Sequence, residues 1–163
     1  TDLREARRRF GAKAPGGARR TTLATAVDAP PLALEAMIER EPVTVVLSEM
    51  GWIRALKGHV DPASLRYKDG DRGRFALHAE STDRLLVLAR NGRLFTLRAA
   101  DLPGGRGMGE PLRLMVDLDG PVAALRVHRP GGRLLVASQA GEGFVLPEDE
   151  ALAQTRAGRQ VLN

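Results

Sequence analysis

Three stretches of the chain follow one plan: VTVVLSEMGWIRAL (43–56), RLLVLARNGRLFTL (84–97) and RLLVASQAGEGFVL (133–146). Each sets four or so apolar or small residues, a polar pair, a glycine, and a second run with alternating apolar positions. The glycines are Gly51, Gly92 and Gly141, 41 and 49 residues apart. A period of that size in strand-like runs belongs to blade-like β repeats, in which no unit buries its own face and each must stack on the next. Asn91-Gly92 adds a local signal, because a two-residue type I′ turn needs positive φ at both central positions and favours that pair.

Polar, glycine-containing stretches follow each hairpin: YKDGDRG (67–73), PGGRGMG (103–109) and RAGR (156–159). After the first two, FALHA and PLRLMVDL read as further strands. With no long crossover helix between strands, the sheets are expected to be antiparallel. The repeats fall near 43–80, 84–130 and 133–163. The closing RQVLN reads as the start of a strand with no partner, an exposed edge that natural proteins avoid, so the chain reads as a piece of something longer.

The first 42 residues do not share the pattern. Residues 2–10 read as a helix stopped by Gly11, GAKAPGGARR as a flexible basic linker, and Asp28 with Pro30-Pro31 before LALEAMIER as the start of a short second helix. The expected organisation is an arm over 1–42 and a mainly β domain over 43–163. That domain would hold about three propeller-like blades of antiparallel strands and be incomplete.

Composition narrows the chemistry. With no cysteine, disulfides and thiolate metal sites are excluded, which suits a cytoplasmic protein. No apolar run approaches the roughly 18 residues that span a membrane. The net charge of +5 favours a polyanionic partner. Only six aromatics are present, too few for a row of base-stacking platforms, so a duplex is a better partner than a single strand. His59, His78 and His128 lack ligand spacing, and Ser48, Ser81 and Ser138 have no nucleophile-elbow context, so neither a metal site nor nucleophilic catalysis is expected. Trp52, just after a turn glycine in an apolar run, reads as core.

The loop GGRGMG (104–109) is not a nucleotide-binding fingerprint. Such a loop must open a helix whose amides hold phosphate, and here Glu110-Pro111 and an apparent strand follow. It reads as a turn between strands, in which Arg106 is either merely exposed or contacts a DNA phosphate. Basic residues return at similar places in the repeats: Arg54, Lys57, Lys68, Arg72 and Arg74 in the first, Arg93, Arg98 and Arg106 in the second, Arg156 and Arg159 in the third. These ten are expected to line one rim and to bind the phosphate backbone without reading bases.

EPVTVVLSEMGWIRALKGH (41–59), RGMGEPL (106–112) and ASQAGEGFV (137–145) together resemble the C-terminal domain of ParC, the A subunit of bacterial DNA topoisomerase IV, a type IIA topoisomerase related to gyrase A. RRRFGAKAPGGARRT (7–21) is similar to the exit from that family's catalytic core. The resemblance implies a β-pinwheel, blades that exchange strands with their neighbours, and a role in binding and bending duplex DNA. DPASLRYKDGDRG (61–73) lacks the glutamine-arginine-glycine box of gyrase A, which points to topoisomerase IV. The resemblance further implies the partner subunit ParE, with ATP and magnesium, in a parent enzyme that relaxes and decatenates chromosomes. It also implies a nucleoid-associated location in the cytoplasm, and a condensin-type protein or a DNA translocase as an alternative partner, for which Glu142, Glu148, Asp149 and Glu150 offer an acidic rim. Tyr67 does not match the family's DNA-cleaving tyrosine, so this chain alone is expected to be inactive, with no cofactor of its own.

Overall fold

The computed structural model describes residues 2–11, 15, 39–105 and 107–162. The second helix and most of the basic linker read from the sequence lie outside them. The chain divides into two units, 1–33 and 34–163. In the first, helix α1 spans Asp2–Phe10, and the Gly11 amide closes its last turn on the Arg7 carbonyl at 2.9 Å.

In the second unit, β1 (Pro42–Ser48), β2 (Trp52–Lys57) and β3 (Gly73–Glu80) come from the first repeat. β4 (Arg84–Ala89), β5 (Arg93–Arg98), β6 (Glu110–Pro111) and β7 (Val122–Val127) follow. β8 (Arg133–Ala137), β9 (Gly143–Pro147) and β10 (Arg159–Gln160) end the chain. They form two four-stranded antiparallel sheets, β3-β1-β2-β6 and β10-β5-β4-β7, and a two-stranded hairpin, β8-β9.

The second sheet is buried on both faces, which is why β4 reads as an unbroken apolar run. Alternate side chains of a strand point to opposite faces. Leu85 and Val87 therefore join a core with Val45, Leu47, Ile53 and Phe95 of the first two sheets. Leu86, with Leu88 packed alongside, joins a second core with Leu94, Leu134, Val136 and Leu146, shared with the hairpin. Stacked sheets of this kind are what the glycine period demands.

Each four-stranded sheet is completed from further along the chain. β6 follows the second hairpin yet pairs with β2 of the first sheet, Trp52 opposite Pro111 and Ile53 opposite Glu110. β10 follows the third hairpin and pairs with β5, Arg159 opposite Leu94 and Gln160 opposite Arg93. The strand at 159–160 is thus partnered, contrary to the open edge expected from the sequence, and the two-stranded sheet is instead β8-β9. A glycine precedes each exchanged strand, and both need to be glycine. Gly109 has φ +90°, and a Cβ there would stand 2.3 Å from the Ile53 carbonyl oxygen. Gly158 has φ +67°, and a Cβ would stand 2.6 Å from the Phe95 ring.

Two local expectations give way. The turn at Asn91-Gly92 is not type I′, since among the described residues no non-glycine has positive φ. The Gly92 amide instead donates to the Ala89 carbonyl at 3.1 Å, making a three-residue loop with a left-handed glycine at its end. The segment 112–118 is not a strand either. Leu112–Leu114 is a 3-10 turn, and the amides of Met115 and Val116 both donate to the Leu112 carbonyl, at 3.0 and 3.1 Å. Leu112 and Val116, four residues apart, are the buried pair. That is helical spacing, which interleaved apolar residues at 114 and 118 disguise as alternation.

Candidate nucleic-acid interface

The hairpin turns position a basic row. The β1-β2 and β4-β5 connections repeat in detail. Each follows a bulge, at Leu47/Ser48 and at Leu88/Ala89. Each ties to the segment before the sheet's outer strand, the Glu49 amide to the Arg72 carbonyl at 2.8 Å and the Arg90 amide to the Pro121 carbonyl at 3.0 Å. A cleft of about 530 Å³ lies between the first turn and the start of β7, with Arg74, Arg113, Trp52 and Met50 in its walls. A second, of about 590 Å³, lies between the β4-β5 and β8-β9 turns and is bordered by Arg74, Arg90 and Ser138.

Arg74 borders both clefts. It is half-buried, and its Nε is buried without a hydrogen-bond partner. Its guanidinium lies 5.5 Å from the centre of the Phe75 ring. Arg90 and Arg113 are exposed. None of the three has a carboxylate or carbonyl partner among the described residues. Such guanidiniums keep their charge and their planar fork for an incoming anion. Sequence reasoning missed Arg90 and Arg113. Arg90 precedes the Asn-Gly pair and was hidden by the assumed two-residue turn, and Arg113 sat in the supposed strand.

Most of the other expected rim residues are engaged. Arg54 is only 7% exposed, and its Nη1 donates to the Gly107 carbonyl at 2.9 Å while its Nη2 bonds the Arg66 carbonyl. It latches the loop that leads to β6, so its expected place on the rim is corrected: a buried guanidinium satisfied by two carbonyls cannot reach a ligand. Arg93 does the same for the loop leading to β10, donating to the Ala157 carbonyl at 2.7 Å. Arg156 donates to the Leu114 carbonyl at 2.6 Å, and Arg159 bonds the Glu150 carbonyl.

Lys57 pairs with Glu41 at 2.6 Å, Arg72 with Glu49 at 2.7 Å, and Arg98 with Asp101 through two bonds of 2.7 and 2.9 Å. Glu41 and Glu49 hold Lys57 and Arg72 above their usual pKa range, chiefly through these hydrogen bonds. Lys68 sits with Nζ 3.0 Å from the centre of the Trp52 ring. Trp52 is half-buried and walls the first cleft, so it is not the core residue expected. Arg106 lies outside the described residues.

The acidic rim also changes. Glu148 is 1% exposed. It accepts from Arg126 Nη2 and from the Arg129 amide, both at 2.7 Å. Asp149 accepts from the Gly131 amide at 2.9 Å and lies 2.9 Å from His128 Nε2. The rings of His59 and His78 stack 4.3 Å apart, and among the described residues no cluster of three metal-binding side chains occurs. No helix there is long and apolar enough to cross a membrane.

Stacked antiparallel sheets, each finished by a strand handed back from the following unit, define the blades of a β-pinwheel. The solved structure of the E. coli ParC C-terminal domain is similar, with a TM-score of 0.70 and 38% identity over 75% of this chain and 51% of that one. The A subunit of DNA topoisomerase 4 from Caulobacter vibrioides is 51% identical over 134 residues, 80% of this chain and 18% of that protein. Its counterpart from Rickettsia bellii is 39% identical over 169 residues, 99% of this chain and 22% of that protein. No protein-family model matches. The chain belongs to the ParC family, the A subunits of DNA topoisomerase IV, and represents its C-terminal domain. It spans about a fifth of the length of these curated relatives.

Proposed function

We propose that the domain binds duplex DNA without reading its sequence, along the end of the sheets that carries the hairpin turns. The bound segment is presented to the catalytic core of topoisomerase IV. The observation that carries this reading is the row Arg113, Arg74 and Arg90, unpartnered among the described residues, on a chain of net charge +5. Phosphate contacts position a duplex without specifying bases. Smooth bending of a short site costs roughly 1–6 kcal/mol, which several such contacts offset at low salt.

In the parent enzyme the protein would join ParE and use ATP and magnesium to relax and decatenate chromosomes, with the domain held on the nucleoid and needing no cofactor of its own. DNA cleavage would belong to the core. Tyr67, this chain's one tyrosine, packs its ring against Gly73.

Fluorescence anisotropy with a labelled duplex tests the reading. The expected result is a plot of log affinity against log salt falling by about 0.9 for each phosphate neutralised. No binding at low salt, or a flat response, overturns it.

A second reading, a protein-binding scaffold for a condensin-type protein or a translocase, loses Glu148 of its acidic rim to burial and keeps Glu142, Asp149 and Glu150 exposed. What favours it is the apolar surface of the third hairpin, where the cross-strand partners Leu135 and Val145 are 75% and 50% exposed. A protein partner there would bind with a weak, site-dependent response to salt.

A further inference from the structure

We propose that the cleft between the first two sheets is a phosphate-binding site, with Arg74 as its anchor and Arg113 as its second arm. The occupant, a backbone phosphate of the duplex, rests on the reading above; the chemistry of the cleft stands on its own residues. Arg74 holds a buried Nε–H with no acceptor, as does Arg126, and such an unmade bond is costly; of the two, Arg74 also lines both clefts.

The acids nearby do not answer it. Glu49 lines the same cleft, but its Oε2 is bound by Arg72 at 2.7 Å. Asp71 Oδ1 accepts from the amides of Met50 and Arg72, at 3.1 and 2.8 Å.

The fold does not require an arginine at this place. In the first sheet Ser48 pairs with Gly73, directly before Arg74. In the second sheet the matching pair is Ala89 with Val122, and the residue after it is Ala123. The outer strand forms equally well with a methyl group there.

Arg113 lines the cleft from the turn after β6, so arginines from two different parts of the chain border it. A phosphate has oxygens enough for both forks, whereas one fork saturates a carboxylate. Trp52, Met50 and Pro111 supply apolar walls that lower the local dielectric and strengthen such contacts.

The test compares Arg74→Gln and Arg74→Lys with Arg133→Gln, an exposed arginine of β8 that borders neither cleft. Duplex affinity is measured over a salt series, and melting temperature checks folding. Both Arg74 variants are expected to lose about fivefold or more in affinity at unchanged melting temperature, Arg74→Gln with about 0.9 of salt slope and Arg74→Lys, which keeps the charge but not the fork, with less; Arg133→Gln should lose less affinity than either. Full rescue by lysine, or equality of Arg74→Gln with Arg133→Gln, overturns the anchor and leaves the DNA reading standing. If the unaltered chain binds no duplex, the DNA reading fails, and inorganic phosphate decides the cleft: it should shift the Trp52 indole and Arg74 Nε resonances, and their constancy overturns the site.

Discussion

In the first sheet the third residue after the turn glycine is Arg54; in the second it is Phe95. Both are buried, but Arg54 ties down the loop leading to β6, whereas Phe95 fills the core between sheets. The latch in the second sheet falls instead to Arg93, two residues nearer the turn. Outer strands differ in the same manner, with Arg74 where the second sheet has Ala123. Bulge, turn and pre-strand glycine recur in both units, while the arginines change roles freely. Backbone geometry that admits one solution repeats; side-chain chemistry that admits several does not.

The comparison breaks most sharply at the pre-strand glycines. Gly109→Val adds a clash with the backbone at Ile53 to a left-handed φ, and should cost roughly 3–5 kcal/mol of stability in urea unfolding. Gly158→Val should cost a comparable amount, since a Cβ there would press on the buried Phe95 ring and stand 2.7 Å from the Leu94 carbonyl oxygen. Equal and small losses would mean that the exchanged strands are dispensable.

The latches come next. Arg54→Gln leaves two carbonyls without their donor and should destabilise by about 1–3 kcal/mol, whereas Arg93→Gln breaks one bond in a half-buried place and should cost about 1 kcal/mol. Neither should alter the salt slope of DNA binding beyond the loss of one remote charge.

The smallest effect concerns Asp71. Burial pushes its carboxyl up, but bonds from Ser48 and from the amides of Met50, Arg72 and Glu49 outweigh burial and hold it below the ordinary value. A depressed folded pKa contributes stability above the unfolded value near 3.8 that is lost as pH falls through the folded one. Acid unfolding of Asp71→Asn should therefore show a shallower decline below about pH 4 than the unaltered chain.

Much of the blade architecture was legible because hairpins are local: Gly51, Gly92 and Gly141 mark turns whose strands adjoin in sequence. The exchanged strands were not legible. Pairing of Glu110 with Ile53 and of Arg159 with Leu94 joins residues far apart, and two-residue strands carry no periodicity to read. The basic rim failed for a related reason. Recurrence along the sequence located arginines near one another in the repeat but could not tell Arg54, engaged by carbonyls, from Arg74, which has none. Arg90 and Arg113 needed the true turn and the true 3-10 segment before their place was visible.

The hand-back of each fourth strand also bears on how such domains change size. A blade here is not a removable cassette. Excising residues 84–127 would take away β6 and leave the first sheet one strand short unless β10 took that place beside β2, and splicing in an extra unit must sever one hand-off and create two. A viable cut passes between an outer strand and the next hairpin, as at the turn near residue 82, and carries a borrowed strand with it. Gains and losses of blades in this architecture are therefore expected to shift by whole circular steps, each new unit arriving already clasped to its neighbour.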